Sequence, residues 1–186
     1  DRAGSPGVED GWLHLDTDER IRATGYSYQY NVRYRAKIKG INIGDEFRGR
    51  VGLGDEPSDT ELWHGDSIYC YLHEYRHMGV FNSNDGTYSG TDDNSYSSNP
   101  DQEYIFMSAY TSSKTWHWID DDLKHTWTSN IPDAQLHPAI EQRTGTFYVD
   151  WYFVAKYADP EPSWSSFGIW QSIGNNPPTI SNEYPT

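Results

Sequence analysis

The sequence predicts an all-β fold in which two antiparallel sheets pack face to face. In the stretch Tyr26 to Ile38, YSYQYNVRYRAKI, every second residue (Tyr26, Tyr28, Tyr30, Val32, Tyr34, Ala36, Ile38) is aromatic or aliphatic. A strand sends alternate side chains to opposite faces, so a period of two buries one face and wets the other, whereas a helix would scatter the tyrosines around its axis. Such a strand needs a covering layer. No helical pattern long enough to cover a sheet competes with it, and the remaining apolar runs also alternate, so the covering layer is made of strands. A chain of 186 residues can bury that core as one domain without staples.

Taken in order, SPGVEDGWLHL reads as a turn and a short strand whose Trp12, Leu13 and Leu15 begin the packing, after which DTDER turns into Ile21. After the long strand comes another around Phe47 to Leu53, with glycines at its bends and an acidic, proline-containing loop behind it. Asp66 to His77 alternates again: Ile68, Cys70 and Leu72 form a core face, and Tyr69, Tyr71, His73, Tyr75 and His77 an aromatic, titratable one. Asn82 to Glu103 is saturated with Asn, Asp, Ser and Gly and reads as a long loop or a loose hairpin. Strands follow at Tyr104 to Tyr110 and Thr115 to Ile119, and Asp120 to Asp122 turn into LKHTWT. The last strand, Thr146 to Tyr157, puts Phe147, Val149, Trp151, Phe153, Ala155 and Tyr157 on one face and Tyr148, Asp150 and Tyr152 on the other. Residues 1–163 therefore read as the sandwich, and 164–186, with a Pro-Pro pair, as an extension or linker toward a further β-domain.

The totals narrow the partner. A formal charge of -14, from 28 acidic and 14 basic residues, disfavours nucleic acid and anionic lipid, which require a basic patch. No run is long and apolar enough for a membrane-spanning helix. Cys70 is the single cysteine, so no intrachain disulfide forms, and its place in an alternating strand makes it a core thiol. The aromatic share of 16%, with 8 Trp and 15 Tyr, exceeds what a core requires and points to rings lining a surface that binds flat apolar faces.

GVEDGWLHL (7–15), WHWIDDDLKHTWTSNIP (116–132) and YVDWYFVAKYADPEP (148–162) together resemble the concanavalin A-like (LamG-like) domains of secreted and surface proteins of archaea and bacteria. The closing signature Val149-Asp150-Trp151, Lys156-Tyr157, Pro160-Glu161-Pro162 is the most specific part. The resemblance spans about residues 8–163 and implies a two-sheet jelly roll with one concave sheet, in an extracellular or cell-surface setting. It implies no settled activity. Where the family has Asp-Gly at the hairpin, this chain has Asp120-Asp121-Asp122, which puts the tight turn in question.

If Ile119 faces the core, as the family's hairpin suggests, His117 goes with it and Trp116 and Trp118 share the opposite face, about 7 Å apart, near the pitch of adjacent sugar rings. Sugars offer an apolar C–H face to a ring and hydroxyls to polar groups at its edge. Tyr71, His73, Tyr148, Asp150 and Tyr152 are the expected partners, and together with the two tryptophans they form the expected polysaccharide-binding groove. The alternative for these rings is packing under loops or against neighbouring domains, as in a structural or adhesive bead of a surface stalk. A polysaccharide lyase using His73 and a nearby Tyr is a further alternative; the paired-carboxylate pattern Glu-x-Asp-x-x-Glu of glycosidases is absent. His73, Glu74 and His77 spell H-E-x-x-H, but that zinc motif works on a helix and here the pattern alternates as a strand. The acidic loops (Asp16, Asp18 and Glu19; Asp55, Glu56 and Asp59; Asn84 and Asp85; Asp92 and Asp93; Asp120 to Asp122) would suit a structural calcium, although none has EF-hand spacing and no cofactor is required.

Overall fold

The computed structural model describes residues 2–3, 6–41, 47–55, 65–73, 77–91, 96–99 and 101–160. The extension at 164–186 lies outside the described residues. Among the described residues every regular element is a strand: β1 (Arg2–Ala3), β2 (Gly7–Glu9), β3 (Trp12–Leu15), β4 (Glu19–Arg22), β5 (Val32–Ile41), β6 (Arg48–Gly54), β7 (Ser67–His73), β8 (His77–Asn84), β9 (Thr87–Gly90), β10 (Tyr96–Ser97), β11 (Glu103–Tyr110), β12 (Thr115–Ile119), β13 (Asp122–Trp127), β14 (His137–Gln142) and β15 (Thr146–Lys156). They form two antiparallel sheets. Sheet A runs β1-β4-β14-β6-β7-β8-β10 with β9 on β8, and sheet B runs β13-β12-β11-β5-β15-β3-β2.

β5 is the centre of sheet B, hydrogen-bonded along its length to β11 and β15. Val32, Tyr34, Ala36 and Ile38 point into the sandwich, and Arg33, Arg35, Lys37 and Lys39 point out. The regular strand begins later than the alternation suggests. Tyr30 and Asn31 take positive φ, which an extended chain cannot pass through, so Tyr26 is left exposed and Tyr28 makes only an isolated bridge to Leu136. The run from Asp66 is also two strands rather than one: His73 ends β7, and His77 opens β8 directly opposite it. The spacer Glu74, Tyr75 and Arg76 lies outside the described residues. β4 completes sheet A at a stretch the sequence reading gave to a turn, and β8 with β9 forms a hairpin at the start of the stretch read as a long loop or loose hairpin.

Between the sheets, Leu15, Ile38, Phe47, Leu53, Ile68, Leu72, Phe106, Leu136 and Phe147 are fully enclosed. A polar chain threads this apolar layer. His117 Nδ1 lies 2.7 Å from Ser108 Oγ, Ser108 donates to the Tyr34 hydroxyl at 3.0 Å, and that hydroxyl accepts the Cys70 amide at 2.8 Å. It ties β12, β11 and β5 of one sheet to β7 of the other, and a one-residue slip of any of these strands would leave a buried polar group unpaired. Burial pushes the Cys70 thiol up to about 11 and holds His117 neutral, down to about 3.

Candidate aromatic face

Sheet B has an outer face rich in rings, and an irregularity in β15 produces it. Val149 pairs with Ile38 and Trp151 with Lys37, so Asp150 is an extra residue bulged out of the ladder. The bulge reverses the facing of everything after it. Phe147 and Val149 point inward before it, Tyr152 and Val154 after it, while Trp151 and Phe153 join Tyr148 outside. A strict period of two placed Tyr152 on the wet face with Tyr148 and Asp150. Instead it stacks on Tyr34 with centroids 5.8 Å apart and donates its hydroxyl to the Gly52 carbonyl at 2.8 Å. Enclosure of that hydroxyl raises its pKa well above the ordinary range.

Cross-strand neighbours define the rest of the face. Trp118, Met107, Arg35 and Phe153 form one rung across β12, β11, β5 and β15, spanning about 14 Å at the usual strand spacing. Trp151 lies beside Phe153 at 5.6 Å and under the Arg35 guanidinium at 5.9 Å. At the far end, Lys39 Nζ sits 4.5 Å from the Trp12 ring and 5.1 Å from the Tyr148 ring, and Tyr148 donates to Glu9 at 2.9 Å. The cations are held by carboxylates at the rim: Arg35 donates from Nη2 to both oxygens of Asp121 at 2.8 Å, and Lys37 reaches Glu103 at 2.8 Å and Asp150 at 3.2 Å. These two carboxylates raise the Lys37 pKa and keep it charged. Phe153 is 44% exposed. Trp12, Trp118, Tyr148 and Trp151 keep part of their surface open.

Trp116 and Trp118 share this face as expected, with His117 and Ile119 inward. Trp116 is nonetheless covered, by Tyr157 at 5.1 Å and with Lys114 over its ring at 5.2 Å. Tyr71 and His73 lie on the opposite side of the molecule, on the outer face of sheet A, so the expected residues do not line one groove. There Tyr69 and Tyr71 are buried beside an ion pair of Arg50 with Glu141 at 2.6 Å, and a stacked column runs from Tyr69 through Phe81 to the exposed Tyr88. Tyr71 and His73 meet edge to face at 5.8 Å, and the Tyr71 hydroxyl is donated to the Thr91 carbonyl rather than to the imidazole. His73 and His77 face each other across a hairpin, not along a helix, so the zinc-protease geometry is absent.

The described acidic turns bond both backbone and side chains. Asp16 accepts from Thr146 while Glu19 accepts the Asp16 amide, and Asp66, fully buried, accepts the amides of Asp85, Asp133 and Ala134. Among the described residues no group of three or more His, Cys, Asp or Glu side chains is placed to hold a metal. Glu56, Asp59, Asp92 and Asp93 lie outside the described residues. Sequence reasoning missed Trp12, Lys37, Lys39, Trp151 and Phe153 as members of one surface. The Asp10-Gly11 pair, a hairpin signal, marks the turn that sets Trp12 at the start of β3, but nothing local marks the bulge at Asp150.

No protein-family model matches the chain, and no curated protein sequence does. Solved structures do. The carbohydrate-binding module CBM66 from Bacillus subtilis superposes with a TM-score of 0.63 at 11% identity, over 83% of this chain and 92% of that one. A prokaryotic β-1,3-1,4-glucanase (lichenase) from a mouse hindgut metagenome gives 0.64 at 13%, over 82% of each chain. The laminarinase catalytic domain of Thermotoga maritima gives 0.62 at 14%, over 82% of this chain and 80% of that one. Likeness at such low identity concerns the fold: the chain is a jelly-roll sandwich of the concanavalin A-like type.

Proposed function

We propose that this domain is a non-catalytic carbohydrate-binding module of an extracellular or cell-surface protein, holding a polysaccharide across the outer face of sheet B. The observation that carries the reading is the partly open set of rings, Trp12, Tyr148, Trp151, Phe153 and Trp118, interleaved with charged groups already neutralised by one another. A sugar chain offers C–H faces to the rings and hydroxyls to the rim, where Lys39 donates to such hydroxyls and the carboxylates of Glu9 and Asp150 accept from them. The pairing of Glu103, Asp121 and Asp150 each with a cation supports the non-catalytic reading over a glycosidase, which needs a pair of carboxyl groups with one free to carry a proton. No helix of the described residues is long and apolar enough to cross a membrane.

The test is tryptophan fluorescence of the domain titrated with soluble neutral polysaccharides, with calcium and with a chelator, alongside a reducing-end assay. Saturable binding without product release, weakened at least tenfold in Trp151→Ala and unchanged in Tyr26→Ala, supports the proposal. A folded protein that binds nothing in the panel, or whose binding ignores Trp151, overturns it. The rival reading, a structural or adhesive bead of a surface stalk, is favoured by the covering of Trp116 within the domain, and it would show as self-association with no glycan bound.

A further inference from the structure

The sandwich is open along one edge. Where β10 ends sheet A and β13 ends sheet B, the sheets part around a cleft of about 540 Å³, floored by Met78 and Ile119 and walled by polar groups. A second register irregularity shapes it: His117 pairs with His125 and Trp118 with Leu123, so Lys124 is an extra residue bulged from β13. It lies over the Tyr96 ring at 5.2 Å and bonds Asp122 at 2.7 Å, while the Tyr96 hydroxyl donates to the Lys124 carbonyl at 3.2 Å.

The hydrogen-bonding capacity left over in the walls defines the ligand. Asn99 Nδ2 donates to Gln102 Oε1 at 2.8 Å, which leaves the Asn99 carbonyl to accept and the Gln102 amide to donate. The Tyr104 hydroxyl accepts the Asn99 amide at 2.6 Å and keeps its own proton to give. Asp120 spends Oδ1 on the Ile105 amide, and Asp122 spends Oδ2 on Lys124, so each retains one carboxylate oxygen. Donors and acceptors thus alternate around a space of small-molecule size. An anion would meet Asp120 and Asp122 with only one cation, itself already paired. A metal ion would find Lys124 in the way and no cluster of three ligating groups among the described residues. An apolar ligand would bury these polar groups unpaired, at a cost. A neutral polyhydroxylated molecule meets none of these objections, because each hydroxyl both donates and accepts.

We infer that this edge cleft is a second binding site, separate from the ring-bearing face, for a small neutral polyol such as a single sugar or the terminal unit of a glycan. The experiment is an amide-resolved NMR titration with glucose, galactose and mannose, using glycerol as a control for non-specific polyol effects. Saturable shifts at the amides of Ser97, Asn99 and Gln102 with one of the sugars, and not with glycerol at equal concentration, are expected. Gln102→Ala combined with Asp122→Ala, both at exposed positions, should weaken the effect at least tenfold. Ser97→Trp, which fills the cleft from the edge strand, should abolish it, and Trp151→Ala should leave it intact. The inference is overturned if none of the sugars gives saturable shifts there, or if the shifts survive Ser97→Trp in a folded protein. Shifts confined to β15 and β3 would also overturn it, while leaving the proposal for the ring-bearing face standing.

Discussion

His117 shows at the scale of one residue how burial becomes a pH response. Its pKa is lowered to about 3, first by burial and then by the neighbouring His125, from an ordinary value near 6.5. As pH falls below that value the unfolded chain takes up the proton and the folded one does not. Stability is therefore complete above about pH 6.5 and is lost on the way down toward pH 3, with a slope of at most about 1.4 kcal/mol per pH unit. Melting temperatures measured from pH 7 to pH 4 should fall more steeply for the native chain than for His117→Asn, which keeps a polar group near Ser108 but does not titrate. Asp66 makes a comparable prediction without titration. Its two oxygens take three backbone amides from two separate loops, so Asp66→Ala strands buried donors and should cost about 3 kcal/mol or more in denaturant unfolding. No motif announces Asp66, because its partners are distant in sequence.

Turns and bulges decide the geometry at the scale of the element. The loop between β12 and β13 is Asp120-Asp121, both at positive φ (53° and 63°), as a two-residue type I′ hairpin requires. The tight turn that the missing glycine put in question is therefore present, built by two aspartates. Asp120 is held by the Ile105 amide and Asp121 by Arg35. Asp121→Gly should relieve backbone strain while losing an exposed ion pair, terms of about 1 kcal/mol each, and so should unfold within about 1 kcal/mol of the native chain. Asp121→Val, with a branched side chain at that φ, should lose about 2 kcal/mol or more. Deleting Asp150 would leave Val149 opposite Ile38 and Trp151 opposite Lys37 in a regular ladder, so Trp151 and Phe153 should stay outward and Tyr152 inward; both the deletion and Asp150→Ala should fold cooperatively by circular dichroism and NMR, each losing the contact of Asp150 with Lys37.

Charge acts on the whole molecule. With a net charge of -14, the folded chain repels itself, and salt relieves that repulsion as the screening length falls from about 30 Å at 0.01 M to about 8 Å at 0.15 M. The melting temperature should rise by a few degrees over that range, since about 1 kcal/mol corresponds to about 2–4 °C for a domain of this size. A flat or falling curve would mean that the ion pairs of sheet B, Arg35 with Asp121 and Lys37 with Glu103 and Asp150, outweigh the net repulsion.

The sequence by itself determined the all-β class and the inward faces of β5 and β7, because facing is local: alternation read off Val32 to Ile38 and Ile68 to Leu72 carries straight into the core, whereas the facing of β12 rested on the family resemblance. The sequence also placed Cys70 among buried groups and Trp116 and Trp118 on one face. Tertiary structure decided which face each aromatic strand shares with which other. Tyr71 and His73 parted from Trp118 because sheet membership depends on pairing between distant strands, and no residue in β7 records that its neighbours are β6 and β8 rather than β12. Tyr152 and Trp151 exchanged sides because one unpaired residue reverses a period of two, and only the partner strand, with Ile38 beside Val149 and Lys37 beside Trp151, shows that Asp150 has none.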